Sequence, residues 1–217
     1  MVSNSREGRK IFGAAILVAA ILFSAALSAD GGRFAVLALS EIGSKLIFYS
    51  LESEVPVNTI DMRDEIVLGI RFLPNGDLLV VSANSLFVID ADGEDREIHG
   101  FYDKRLGGYS FSDELIALRL LEYGIGHSGH LILVSVGGGV LGEMPINREI
   151  VSMSSGDRFI AVLSSAGPIL YNDLFEDITQ SERDGEAAGA TGILALSGSG
   201  SAIAYSDNSA VVITANP

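Results

Sequence analysis

Cysteine and tryptophan are absent from this chain of 217 residues, and proline is scarce, with 5 residues. Without cysteine the chain can form no disulfide and offers no thiolate as a metal ligand or nucleophile, so its redox compartment cannot be read from cysteine usage. Hydrophobic residues nevertheless make up 48% of the sequence. That share excludes a disordered chain and is ample for a globular domain of ordinary size.

Positive charge is the next scarcity: 14 lysine and arginine residues face 28 acidic ones, which gives a net charge of -14. Such a surface repels a phosphate backbone, so we expect no nucleic-acid partner. The basic residues are unevenly placed, because Arg6, Arg9 and Lys10 are opposed only by Glu7 within residues 1–10. We interpret residues 1–10 as a basic cytoplasmic tail.

An uncharged apolar run of about 18 residues, Ile11 to Ser28, follows this tail directly. A cationic flank before an apolar run is typical of a signal sequence or signal anchor whose charged side stays in the cytoplasm. We predict a transmembrane signal anchor at residues 11–29, a single pass through the cell membrane, and an extracytoplasmic domain at residues 30–217. A signal cleaved at Ala26-Leu27-Ser28 and a buried globular segment are the alternatives.

The buried alternative rests on the end of the run, which also matches a repeat found further along the chain. If Leu22 to Ser28 is a strand before a turn, a membrane helix loses its last turns there. One segment cannot lie in the bilayer and pair in a sheet at once. A full anchor would leave the first repeat without its first strand.

The repeat consists of an apolar strand, a tight turn and a second apolar strand, seen most clearly at Ile150 to Leu163. Its turns recur every 37 to 45 residues or so. They are Ser28-Ala-Asp-Gly-Gly, Leu73-Pro-Asn-Gly-Asp, Ser110-Phe-Ser-Asp-Glu, Ser154-Ser-Gly-Asp and Ser197-Gly-Ser-Gly-Ser. A further apolar strand follows each pair, and some units end in a more polar fourth strand, as at Val57–Met62 and Arg96–His99.

Burial explains the composition of these strands. The run Phe159 to Leu163 is apolar at every position, which indicates a strand covered on both faces. A period near 40 with four short antiparallel strands is typical of a β-propeller, whose inner and middle strands are covered and whose outer strand meets water. We predict an all-β, propeller-like repeat of about four to five four-stranded blades after one transmembrane helix. The segment Asp113 to Glu122 could be drawn as a helix, but its place in the repeat favours a strand.

The sequence allows two arrangements of the propeller units. The last strands could pair with Phe34 to Leu39 and close a small ring, or the units could form an open arc whose edges need a partner or a second copy. We expect the fifth unit to stop at Pro217 after three strands. The oligomeric state cannot be read from the sequence.

The units from Leu27-Ser-Ala-Asp-Gly-Gly-Arg-Phe through Leu46-Ile-Phe-Tyr-Ser50 resemble the WD-repeat-like and quinoprotein-like propeller superfamilies. The run from Asp113 to Ser135, together with the basic end and membrane segment, is similar to a bacterial family of membrane-anchored propeller-like proteins of unknown function. Members of that family carry further blades, so the resemblance implies a shortened form. The Trp-Asp signature of true WD repeats is absent, and the resemblance implies no catalytic residues.

Motifs that resemble chemical sites have simpler explanations. Asp90 to Asp95 has alternating carboxylates, but its glycine and final ligand are misplaced for a calcium loop, so we interpret it as a hairpin turn. His127 and His130 lie three apart without a carboxylate beside them in sequence, which disfavours a metal site. The glycines from Gly137 to Gly142 lack the lysine and hydroxyl of a phosphate loop. We assign no catalytic, cofactor-binding or metal-ligating residue.

These observations favour a non-enzymatic, membrane-anchored binding or scaffolding module with no cofactor. Its partners would be the membrane, through residues 11–29, and a protein or another component of the cell envelope. A propeller enzyme or ligand sensor is the alternative, with an acidic site at the propeller axis. That site would require loop carboxylates to converge, among them Asp61, Asp64, Asp103 and Asp173.

Overall fold

A computed structural model describes residues 22–40, 43–53, 55–62, 64–124, 126–180, 189–196 and 198–215. Within these ranges the chain forms nineteen strands and no helix. The strands assemble into five antiparallel sheets, mostly of four strands. The prediction of an all-β chain built from repeated small sheets is therefore confirmed.

Four sheets follow the chain in simple order, and the fifth does not. Sheet A contains β1 (Leu22–Leu27), β2 (Arg33–Ser40), β3 (Gly43–Ser50) and β4 (Pro56–Met62). Sheet B contains β5 (Val67–Phe72), β6 (Leu78–Ser82), β7 (Ser85–Ile89) and β8 (Asp95–Gly100). Sheet C contains β9 (Lys104–Phe111), β10 (Leu115–Glu122), β11 (Gly129–Ser135) and β12 (Val140–Ile146). Sheet D contains β13 (Ile150–Ser155), β14 (Phe159–Ser164) and β15 (Gly167–Asn172).

Sheet E contains β17 (Gly192–Leu196), β18 (Ser201–Tyr205) and β19 (Ala210–Ala215), and its fourth member is β16 (Thr179–Gln180). The expectation that the fifth unit has only three strands is wrong. Strand β16 follows β15 of sheet D in the chain, but it pairs with β19 and so supplies the fourth strand of sheet E. Of the two arrangements left open by the sequence, pairing of the last strands with Phe34 to Leu39 does not occur. Each edge of β2 is already used, one by β1 and the other by β3.

The chain divides into two compact units, one ending at Glu97 and the other beginning at Ile98. In the first unit, sheets A and B pack face to face. Their shared core contains Leu37 and Leu46 from sheet A against Val80 and Phe87 from sheet B. The guanidinium of Arg33 donates to the Gly76 carbonyl at 3.1 Å and lies over the Phe72 ring.

Gly76 is required at that point for two reasons. Its φ of +90° belongs to the left-handed region that favours glycine. A side chain there would also collide with the Arg33 guanidinium. The Asn75-Gly76 turn therefore joins β5 to β6 and receives the cation that ties sheet A to sheet B.

In the second unit, sheet D is packed on both faces. One face covers sheet C, with Ile160 and Val162 against Leu131 and Leu133. The other face covers sheet E, where Phe159, Ala161 and Leu163 meet side chains of β17 to β19. The alternation along β14 thus sends successive residues into two different cores, which is why the strand is apolar throughout.

First strands of consecutive sheets lie side by side within each unit: β1 beside β5, and β13 beside both β9 and β17. Polar contacts join them. The Ser155 amide donates to Ser110 Oγ at 2.9 Å, and the Ile193 amide donates to Ser152 Oγ at 3.3 Å. Serine in a first strand can therefore satisfy the backbone of the neighbouring sheet.

Burial confirms part of the predicted gradient and corrects the rest. Every residue of β6, β7 and β14 is buried, and the outer strands β4 and β12 are largely exposed. The first strands are not covered throughout as expected, because β9 has no fully buried residue and β13 is mixed. A first strand has only one hydrogen-bonded neighbour, so part of its surface meets solvent.

The N-terminal prediction falls partly within the described residues. Strand β1 pairs with β2 from Leu22 opposite Ala38 to Leu27 opposite Phe34. The expectation that an anchor removes the first strand of the first repeat is therefore wrong. Residues 1–21, with the basic tail and most of the predicted anchor, lie outside the described residues. Among those described, no helix has the length and apolar character needed to cross a bilayer.

Hairpin turns are closed by side-chain oxygens at recurring positions. Ser82 Oγ accepts from the amides of Asn84 and Ser85, and Ser112 Oγ accepts from the Leu115 amide at 2.9 Å. In the first turn, the carboxylate of Asp30 accepts from Ser28 Oγ and the Gly32 amide, and these hydrogen bonds hold the pKa of Asp30 below its ordinary value. Ser28, Asp30 and Ser112 belong to turns found by the repeat alignment, and their side chains hold those turns.

Replacing Ile160 by alanine tests the double-faced core. Ile160 is fully buried between sheets C and D, so Ile160→Ala should lower the free energy of unfolding by about 2 to 5 kcal/mol. The matched control is Val151→Ala in the same sheet, where the side chain is 51% exposed and the change should stay within about 0.5 kcal/mol. Urea unfolding of both variants makes the comparison, and equal losses would contradict the packing of β14.

Candidate functional site

Two grooves of about 270 Å³ each lie at corresponding junctions between consecutive sheets. The A/B groove runs between β4 and the strands β7 and β8, and the C/D groove runs between β11, β12 and sheet D. The A/B groove is lined by Ile60, Asp61, Met62, Asp64, Glu65, Ser85, Phe87, Ile89, Gly93, Asp95 and Glu97. The C/D groove is lined by Leu131, Met144, Pro145, Ile146, Asn147, Arg148, Ile150, Val162, Ser164, Ile169 and Tyr171.

The correspondence follows from the outer strands. Strands β4 and β12 are both seven residues long, share one alternating pattern of exposure, and end in a buried apolar residue, Met62 or Ile146. In each case the chain then turns into the first strand of the next sheet. Each groove therefore has an apolar floor supplied by the core and a rim supplied by the outer strand and its turn.

The lining of the A/B groove is acidic. Five carboxylate side chains, those of Asp61, Asp64, Glu65, Asp95 and Glu97, belong to it. Glu65 Oε2 is buried without a hydrogen-bond partner. Within the described part of the chain, no group of three or more His, Cys, Asp or Glu residues has the geometry to hold a metal ion.

Asp61 and Asp64 are thus brought to one groove, which is half of the acidic set proposed from the sequence. Asp61 belongs to β4 and not to a loop, which corrects the sequence interpretation. Asp103 is exposed in the turn before β9. Asp173 forms an ion pair with Arg158, with Nη2 and Oδ2 3.5 Å apart.

The lining of the C/D groove contains a single charged side chain, that of Arg148, and no carboxylate. Arg148 is exposed and donates no hydrogen bond to a described residue. Burial raises the pKa of Tyr171, another residue of the lining, while the positive charge of Arg148 lowers that pKa and Asp177 raises it. The carboxylate of Asp177 is occupied by Thr179, whose hydroxyl donates to it at 2.6 Å.

The two histidines are placed differently from the sequence expectation. Carboxylates do lie beside them: His127 Nε2 is 4.0 Å from Glu149 Oε2, and His130 Nδ1 is 3.7 Å from Glu143 Oε1. Lys104 Nζ also reaches Glu143 Oε1, at 3.2 Å. Each histidine therefore lies near a different glutamate, His130 near Glu143 of β12 and His127 near Glu149 in the turn after it.

The other motifs are turns, as interpreted from the sequence. Asp90 Oδ1 accepts from the amides of Asp92 and Glu94, and Gly93 has a φ of +89°. Gly138 lies in the turn between β11 and β12 with the same φ. Asp90 to Asp95 is a side-chain-closed hairpin, and the glycine run forms a turn followed by the start of β12.

The face of sheet E that points away from sheet D is apolar and partly exposed. Leu194, Tyr205 and Val212 lie on this face and are 52%, 46% and 60% exposed. Asp207 is the one charged residue between Gly189 and Ala215. An uncharged apolar sheet face on so acidic a chain is a second candidate contact surface.

No protein-family model matches the chain, and no curated protein matches it either. The assignment of the two grooves as candidate sites is therefore based on the geometry of the structure. Arg148 and Tyr171 were not singled out from the sequence, because they come from a turn and from β15, and no spacing motif joins them. The alternating exposure of β12 and the turn that follows it are the available signals.

Removing the charge of Arg148 tests its proximity to Tyr171. Because a nearby cation favours the tyrosinate, Arg148→Gln should raise the pKa of Tyr171 further above its ordinary value. The measurement is a pH titration of the tyrosine ring NMR signals, with the Tyr171 signal identified through Tyr171→Phe. Arg158→Gln should leave that pKa unchanged. An unchanged pKa of Tyr171 in both variants would contradict the proximity of Arg148 to Tyr171.

Proposed function

We propose that this protein is a non-enzymatic binding or scaffolding module of the propeller type, with each sheet serving as one blade. Covered sheet faces, side-by-side first strands and exposed outer strands all support this arrangement within each unit. The resemblance to WD-repeat-like and quinoprotein-like propellers, and to a membrane-anchored bacterial family, belongs to the same proposal. Propellers commonly present rigid surfaces on which loops and side chains are varied.

The observation that carries the binding role is the pair of corresponding grooves with equal volumes and opposite linings. The apolar floors are similar, but one rim has five carboxylates and the other has one guanidinium. A repeated cavity with a varied rim suits selective contact with different ligands. Its volume lies just below the range of about 300 to 1,000 Å³ that is usual for small-molecule sites.

The module is held, in this proposal, at the outer surface of the cell membrane by the predicted anchor of residues 11–29, of which residues 11–21 precede the first strand. The support is in the sequence, where the apolar run follows Arg6, Arg9 and Lys10. Because Leu22–Leu27 form β1 and are paired in sheet A, they cannot lie in the bilayer, and the membrane contact would depend on residues 11–21. A binding module so placed would meet proteins or other components of the cell envelope.

A ligand sensor or enzyme with an acidic site is the second candidate. The buried, unpaired Glu65 Oε2 in the A/B groove favours it, because an uncompensated acceptor at a carboxylate-rich groove is suited to a cationic group. Asp61 and Asp64 would contribute to such a site. The other two acidic residues named from the sequence would have no part in it.

Amide NMR titrations of the full chain test the binding role. We expect isoamylamine, a small apolar cation, to shift amides along the A/B groove saturably, with Asp95→Asn weakening the effect because one rim charge is lost. Asp92→Asn changes a nearby exposed turn outside the lining and is the matched control. Calcium binding to the A/B groove would favour the second candidate, and no saturable shift with cationic or anionic probes would contradict a small-ligand binding role.

Protease accessibility on intact cells tests the topology. If the anchor spans the membrane as proposed, externally added protease should digest the domain from residue 30 onward, and the chain should fractionate with membranes. A matched chain with Arg6, Arg9 and Lys10 replaced by glutamine should lose this orientation preference. Full protection of the domain in intact cells, with digestion after lysis, would overturn the extracytoplasmic assignment.

A further inference from the structure

We propose that the C/D groove binds a small apolar carboxylate, with the acid group on Arg148 and the hydrocarbon part on the apolar floor. The inference rests on the proposed binding function and names a ligand class for one of its two grooves. The occupant is a free acid of a few carbon atoms. It is identified by the chemistry of the lining.

Charge selects an anion. Arg148 supplies the one formal charge in the lining, and its side chain is exposed to solvent. Arginine forms paired, charge-assisted hydrogen bonds with carboxylates in a fixed planar geometry. On a chain with a net charge of -14, a lining whose one formal charge is positive is a specific feature of this groove.

The remaining lining selects a small apolar body. Ile146, Ile150 and Val162 are buried at the floor, and Met144 and Ile169 are partly covered on the walls. A volume of about 270 Å³ is sufficient for a short branched chain. Burial of that chain supplies roughly 25 cal/mol for each Å² of apolar surface removed from water.

Two neutral donors can complete the recognition. Asn147 adjoins Arg148 in the turn, and its amide side chain is exposed. Tyr171 keeps its proton at neutral pH, so its hydroxyl can donate to an acid group. In the A/B groove the corresponding rim carries carboxylates, which would repel the same ligand.

Isothermal titration calorimetry and amide NMR on the full chain test the inference with isocaproate as the probe. Isocaproate should bind saturably and shift amides from Met144 to Ile150 and along β15, while amides of the A/B groove stay in place. Isocaproamide, which has the same shape without the charge, should bind at least about tenfold more weakly, as should isocaproate to Arg148→Gln. Arg158→Gln, a charge removed outside the lining, should bind within about twofold of the unaltered protein.

The outcomes separate this inference from the function on which it rests. Equal binding of isocaproate and isocaproamide, or unchanged binding to Arg148→Gln, would overturn the role of Arg148. Tighter binding of an acetylated peptide ending in leucine would overturn the free acid in favour of a peptide C-terminus. Absence of isocaproate binding, with isoamylamine still bound at the A/B groove, would end this inference and leave the binding module standing.

Discussion

Covering both faces of the middle strands is the constraint on which the structure depends. Leu79 and Val80 are adjacent in β6, point to opposite faces, and are both fully buried. The same holds for Ala161 and Ile160 in β14, which contribute to different cores. A single small sheet cannot satisfy such a strand, because it has no second layer. Such a strand therefore requires stacking of consecutive sheets, as sheet D is stacked on sheet C by one face and on sheet E by the other.

Polar side chains add hydrogen bonds that close the hairpins and join neighbouring sheets. Serine hydroxyls close hairpins at Ser82 and Ser112, and other serines reach the backbone of the next sheet, as Ser110 does for Ser155. Arg119 reaches in the same way from β10 to the Ile150 carbonyl, at 2.6 Å. Burial lowers the pKa of Arg119, and the negative charge of Glu149 opposes that effect. Apolar area sets how strongly the sheets associate, and these directional contacts set their register.

Much of the fold could be predicted because its signals are local. Unbroken apolar runs such as Phe159 to Leu163, and turns such as Asn75-Gly76, need no knowledge of distant residues. The fourth strand of sheet E could not be predicted, since Thr179 and Gln180 pair with β19 across more than thirty positions of sequence. The grooves were hidden for the same reason. Asp61 and Asp64 stand out in the sequence as acidic residues. That Arg148 and Tyr171 line one groove depends on the positions of β12 and β15, which the sequence does not reveal.

The outer strands supply the rims of both grooves while contributing little to the cores. Val140 and Leu141 in β12 are about half exposed, and Ile146 is the member of that strand that is fully buried. Substitutions along such a strand or in its turn can change the charge of one junction without disturbing the packing that holds the neighbouring sheets. Natural variation can therefore alter the ligand preference of one junction at a time, so that duplicated units diverge in specificity while their architecture stays the same.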